Sequence, residues 1–157
     1  MIDPYTESER DFVDQLALVF ESSGLPPIAG RIIGRLLICD PPHQSSTELA
    51  DYLNASRGSI STATRMLITS GMLEKVRHRG DRASYFRIRE GCWTEMIHLE
   101  VMRIRRLRQI AEQGLALFAD DPERSRRLKD FRDFNAFFEA EFPVLVQAWD
   151  NRNRSKS

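Results

Sequence analysis

Apolar residues recur at helical spacing along most of this chain and alternate at strand spacing in one place only. Phe12, Val13, Leu16, Ala17 and Phe20 lie three or four residues apart. Thr6 and Glu9 precede them as a capping box, each side chain serving the other's backbone N–H, so a first helix ending near Gly24 is predicted. After Pro26-Pro27, residues 28 to 39 (IAGRIIGRLLIC) are apolar on most sides. That run reads as a buried central helix, with Gly30 and Gly34 at i,i+4 permitting close packing, and Asp40-Pro41-Pro42 ends it. Ser45 with Glu48 is a second capping box, followed by Leu49, Ala50 and Leu53 and broken at Asn54-Ala55. Ser56 then caps a helix whose inner face is Ile60, Ala63, Leu67 and Ile68, with Gly71 placed for a left-handed terminus.

Past Gly71 the period changes. Residues 72–78 and 83–89 read as a β-hairpin, with Phe86 and Ile88 inward, Tyr85, Arg87 and Arg89 outward, and Arg79-Gly80-Asp81-Arg82 at the tip. From Cys92 to Phe118 the helical period returns. Trp93, Ile97, Val101, Ile104, Leu107, Ala111, Leu115 and Phe118 make a seam roughly 40 Å long at ~1.5 Å per residue. Asp121-Pro122 opens a further helix to about Glu141, Phe142-Pro143 kinks or restarts it, and the tail from Asn151 is expected to fray. The fold class is mainly α with a small β-hairpin, a winged helix-turn-helix flanked by terminal dimerisation helices. Residues 1–25 are expected as an N-terminal helix, 26–90 as the winged helix-turn-helix and 91–157 as a C-terminal helical region, the terminal parts serving dimerisation because the seam after Cys92 is too long and apolar to stay exposed on a monomer.

Two short capped helices in tandem form the layout with which a helix-turn-helix reads DNA. The outer face of the second carries Arg57, Gly58, Ser59, Ser61, Thr62 and Arg65. Short hydroxyl side chains let a backbone approach the major groove, and arginines reach guanine edges or phosphates. Gly58 costs about 1 kcal/mol relative to Ala inside a helix, so either close approach to a phosphate or packing on the preceding helix must account for it. Ser45, Ser46, Arg77, Arg79, Arg82 and Tyr85 complete the DNA-binding candidates.

Charge supports this placement. The 157 residues carry 23 basic and 23 acidic side chains and a net charge of zero, which alone argues against avid nucleic-acid binding. Residues 1–56 hold 3 basic against 9 acidic residues, however, and residues 57–89 hold 8 against 2. A basic block that opens at the second helix is the footprint of a phosphate-facing surface.

Other chemistry is poorly supplied. No carboxylate pair, activated nucleophile, phosphate-cradling glycine loop or metal-ligand spacing is present, so neither an enzyme nor a cofactor or metal is expected. No apolar run is long enough to span a membrane and no secretion signal opens the chain, so a cytoplasmic location with no membrane partner follows. Cys39 reads as core; for Cys92 the pattern leaves open an exposed thiol, at most a weak redox candidate. The arginines 103, 105, 106 and 108 are either a second DNA surface or, with Glu100 and Glu112 nearby, a salt-laced helix face. Phe131, Phe134, Phe137, Phe138, Phe142 and Trp149 are either core and dimer interface or a cage for an organic cation.

The segments SGLPPIAGRIIGRLLICDPP, SSTELADYLNASRGSISTATRMLITSGMLEKV and RGDRASYFRIR resemble the MarR family of bacterial transcription regulators, most strongly its GbsR-like branch. The likeness covers about residues 8–95. It implies a DNA-binding lobe between terminal helices that pair two subunits, a recognition helix over Arg57–Ser70, a wing over Arg77–Tyr85, and release from DNA by a small ligand or oxidant. The expected partners are therefore double-stranded DNA, a second copy of the chain and a small-molecule effector, for which the GbsR-like likeness admits an osmolyte-related compound such as choline. The expected dimerisation residues are Phe12, Leu16, Phe20, Ile97, Ile104, Ala111, Phe118, Phe138 and Trp149. Many relatives carry Asp-x-Arg at the wing tip; here Asp81 is followed directly by Arg82, which leaves Arg79 and Arg82 as alternatives for the minor groove. The competing reading keeps the winged fold but uses it to bind protein, or DNA without sequence preference.

Overall fold

The computed structural model describes residues 6–77 and 83–154, with side chains through Arg152. Its elements are α1 (Glu7–Ser22), α2 (Pro27–Ile38), β1 (Gln44–Ser45), α3 (Ser46–Leu53), α4 (Arg57–Thr69), β2 (Leu73–Val76), β3 (Tyr85–Ile88), α5 (Cys92–Leu117) and α6 (Pro122–Arg154). The chain divides after Cys92 into two compact units.

In the first unit both expected capping boxes form. Thr6 Oγ1 accepts from Glu9 N and Ser45 Oγ from Glu48 N, each at 3.2 Å, while the glutamates accept in return from the Thr6 and Ser45 amides. Ser56 caps α4 by accepting from Ser59 N at 3.1 Å. Asn54 closes α3 at φ 48°, a left-handed value that Asn tolerates better than most side chains. Helix α2 is the hub: Ile32, Ile33 and Leu36 join Leu49, Leu53, Ile60, Leu67, Leu73 and Phe86 in one core. It lies close against α1, because a Cβ built on Gly30 meets Ala17 Cα at 2.9 Å and one on Gly34 meets Val13 Cα at 3.1 Å. Gly30→Ala is therefore expected to push α1 off α2 and cost about 1–3 kcal/mol by overpacking. Thermal unfolding checks it: a melting temperature equal to the parent's would refute this contact.

Three expectations need correction here. The hairpin is part of a three-stranded antiparallel sheet ordered β1-β3-β2, because Gln44 and Ser45 pair with Phe86 and Tyr85. A two-residue strand has no period of its own and exists only through that pairing. Ile68 is 37% exposed and so belongs to the rim of α4, while Thr64 takes the inner position, its hydroxyl donating to Ile60 O at 2.8 Å and so losing its polarity cost. Cys92 is buried at 1% exposure, which removes the accessibility a redox thiol requires. Cys39 is buried as expected, and burial pushes its thiol pKa up.

The second unit is an antiparallel pair of long helices. Arg124 N donates to Asp121 Oδ1 at 2.9 Å, so Asp121 caps α6 as its spacing predicts. Gly114 faces Leu128, and further along Arg105 and Arg108 both reach Glu139, at 2.8 and 2.5 Å. Arg108 also pairs with Glu112, and Arg103 with Glu100. Three of the four arginines thus engage glutamates, which is the salt-laced alternative. Hydrogen bonds from Arg108 and then Arg105 hold the Glu139 carboxyl below its ordinary pKa. A carboxylate lowered in the folded state contributes stability above its unfolded pKa and loses it as pH falls through the folded value. Glu139→Gln should accordingly lower the melting temperature at neutral pH, with the gap closing only below the ordinary glutamate range; a gap independent of pH would contradict the pairing.

Helix α6 runs through Pro143 and on to Arg154, so the restart expected at Phe142-Pro143 does not occur. Pro143 is exposed, where water can serve the carbonyl it leaves unpaired.

Candidate nucleic-acid interface

Helices α3 and α4 are joined by the left-handed Asn54 turn, and α4 turns its buried stripe, Ile60, Ala63, Thr64 and Leu67, into the core. The opposite stripe is thereby fixed outward: Arg57, Gly58, Ser61, Thr62 and Arg65 are exposed and Ser59 is half-buried. A Cβ on Gly58 would meet nothing nearer than Ser56 Oγ at 3.9 Å. Packing on α3 therefore does not explain this glycine; it faces open space on the outward side.

Ser45 and Ser46 are half-buried at the start of α3, and the cap uses Ser45 Oγ as an acceptor, which leaves its O–H to donate outward. Arg77 is exposed at the end of β2, and Tyr85 is half-buried, its ring edge-on to His43 with centroids 5.1 Å apart. Arg79 and Arg82 lie outside the described residues. Across the wing Arg87 pairs with Glu74 at 2.5 Å, whereas among the described residues no ion pair involves Arg57, Arg65, Lys75 or Arg77. Cations that no carboxylate neutralises are the ones available to phosphates and base edges.

Sequence reasoning missed the groups that hold this surface in shape. Arg35 on α2 is 4% exposed, its Nε donating to Gln44 Oε1 at 3.1 Å and its Cζ lying 4.2 Å from the Tyr52 ring centroid. Arg10 of α1 lies 5.2 Å from the same ring and donates to Tyr52 O at 3.2 Å. Burial pushes the Tyr52 phenol pKa up, opposed by the Arg35 charge. One buried cation thus ties α2 to α3 and, through Gln44, to the sheet that carries the wing. Nothing in the local pattern announces it, because its partners are 9 and 17 residues away.

Of the expected dimerisation residues, Phe12, Ile97 and Trp149 are well exposed. Leu16, Phe20, Phe118 and Phe138 are half-buried, and Phe20 packs on the first unit's core. Ile104 and Ala111 are 7% and 1% exposed, already covered within the single chain, which leaves a partner little of them to bury. Phe134, Phe137 and Phe142 each touch Phe138, with centroids 4.8, 5.3 and 5.4 Å apart, so these rings pack on one another. Among the described residues no group of three or more His, Cys, Asp or Glu could hold a metal ion, and no helix is long and apolar enough to cross a membrane.

Two tandem capped helices, an outward cationic and hydroxyl stripe on the second and a strand pair beside it define the class: a winged helix-turn-helix transcription regulator that binds DNA. Comparison with known proteins places it more closely. Residues 91–152 match the family described as MmpR5-like MarR family transcriptional regulator. The HTH-type transcriptional regulator MmpR5 of Mycobacterium tuberculosis (strain ATCC 25618 / H37Rv) is 44% identical over 130 residues, 82% of this chain and 79% of that protein. A putative HTH-type transcriptional regulator, YvaV of Bacillus subtilis (strain 168), is 25% identical over 100 residues, 62% of this chain and 56% of its own. A crystal structure described as a transcriptional regulator is 39% identical, with a TM-score of 0.76 over 92% of this chain and 99% of the other. The chain belongs to the MarR family of transcriptional regulators, in its MmpR5-like group.

Proposed function

We propose that the chain acts as a homodimeric repressor in the cytoplasm, with two α4 helices in successive major grooves of a pseudo-palindromic operator and each wing in the flanking minor groove. Half-sites then lie about one helical turn, 10–10.5 bp, apart. The observation that carries the dimer is the apolar surface on the second unit. Phe134, Phe137, Val144, Leu145 and Trp149 of α6 are each more than half exposed, and large apolar side chains exposed along one helix mark it as an interaction surface. In α1, Leu18 and Val19 are each 64% exposed and join Phe12 as interface candidates. An isologous contact between two copies covers such faces on both subunits at once.

Sedimentation tests this. The wild-type chain is expected at twice its monomer mass at micromolar concentration, and Phe134→Lys with Leu145→Lys is expected to shift it toward monomer and reduce operator binding together. A wild-type monomer that still binds an inverted repeat tightly would contradict the dimeric mode. Release by a small ligand, and placement in the GbsR-like branch, rest on the sequence resemblance; a shift of the protein–DNA equilibrium on adding choline tests the ligand.

A further inference from the structure

Between α4 and the wing runs a groove of about 290 Å³ with Ser61, Arg65 and Thr69 on one wall and Lys75 and Phe86 on the other. Strand register decides which way Lys75 faces. Lys75 is the partner of Phe86 and Glu74 is the partner of Arg87, and directly opposed residues share a face of the sheet. Phe86 is in the core. Lys75 therefore stands on the helix-facing side of the wing, while the Glu74–Arg87 pair occupies the far side.

The groove offers charge more than hydroxyls. Thr64 and Thr69 donate their hydroxyl protons to carbonyls of their own helix, at 2.8 and 3.0 Å. Arg65 and Lys75 make no ion pair among the described residues. An open groove just under the ~300–1,000 Å³ of small-molecule pockets suits a strand passing through better than an enclosed effector. Geometry supplies that strand. A recognition helix in the major groove and a wing in the adjacent minor groove straddle the sugar–phosphate backbone that separates the two grooves, so this backbone passes between α4 and the wing.

We infer that Lys75 is a phosphate anchor for the DNA strand that runs between the recognition helix and the wing. This rests on the DNA-binding mode proposed above. Lys75 belongs to the wing wall and contributes affinity without reading sequence, whereas Arg65 on the opposite wall faces the bases. Clamping the backbone from the wing side fixes how deep α4 sits in the major groove.

The test measures binding of the full chain to its selected duplex and to a scrambled one across a salt series. Lys75→Ala is expected to weaken both by the same factor and to lower the salt slope by about one. Lys75→Arg is expected to restore both, and Arg87→Ala, on the far side, to leave the slope unchanged. Melting temperatures should change little, since Lys75 and Arg87 are exposed and a surface ion pair such as Arg87–Glu74 is worth only ~0–1 kcal/mol. A Lys75→Ala protein with the parent's affinity and slope, a loss confined to one sequence, or an equal slope change in Arg87→Ala would overturn the anchor while leaving the DNA-binding mode intact. A wild-type chain that binds no duplex would overturn the mode itself, and the anchor with it.

Discussion

Arg65→Ala is expected to weaken operator binding by about 5- to 150-fold, the ~1–3 kcal/mol carried by one good bidentate base contact, while binding to scrambled duplex falls much less. The expectation follows from position. Arg65 is exposed on the outward stripe of α4, one turn beyond Ser61, with no carboxylate among the described residues to hold it down. In the proposed docking mode a guanidinium there faces the major groove, and arginine is the side chain best matched to guanine. Equal losses on operator and scrambled DNA would show that Arg65 only neutralises phosphate. Arg82→Ala makes the contrast, since a wing arginine is expected to lose affinity for every sequence and to flatten the salt dependence.

Arg35→Ala should be strongly destabilising, at about 3 kcal/mol or more, or roughly 10 °C in melting temperature. Truncation removes a stacked cation worth ~2 kcal/mol when desolvated, opens a cavity between α2 and α3, and leaves Gln44 without the donor at 3.1 Å. Arg35→Lys is not expected to rescue, because an ammonium cannot stack its plane on Tyr52 and donate sideways to Gln44 together. Since Gln44 belongs to β1 and β1 pairs with β3, operator affinity should fall further than the loss of folded protein explains. A melting temperature within ~2 °C of the parent's would contradict the linkage.

These two residues also mark what the sequence made legible. Features whose physics is local were readable: the Thr6–Glu9 and Ser45–Glu48 boxes, the Ser56 and Asp121 caps, the Gly30 and Gly34 approach, and the outward stripe holding Arg65 all depend on residues within about one turn of each other. Features made by tertiary pairing were not. Strand β1 exists because Gln44 meets Phe86; Arg35 looks like a solvent-facing break in an apolar run until Tyr52 is seen above it. Cys92 and Ile68 follow the same rule from the other side, since helical periodicity fixes a face to within a residue or so and leaves a boundary position to be settled by its neighbours. Lys75 was within reach only in part: on a strand it shares a face with Leu73, two residues away, but the register that sets it opposite Phe86 is a tertiary fact.

Sequence-specific binding by a two-fold protein is read out by selecting bound sequences from a random duplex pool, at salt where non-specific affinity is only ~10⁻⁴ to 10⁻⁶ M. An enriched inverted repeat with half-sites about one helical turn apart is the expected result. A pool that stays flat through successive rounds, with a folded and active-concentration-matched protein, would contradict it and leave a winged helix that binds protein or DNA without regard to sequence.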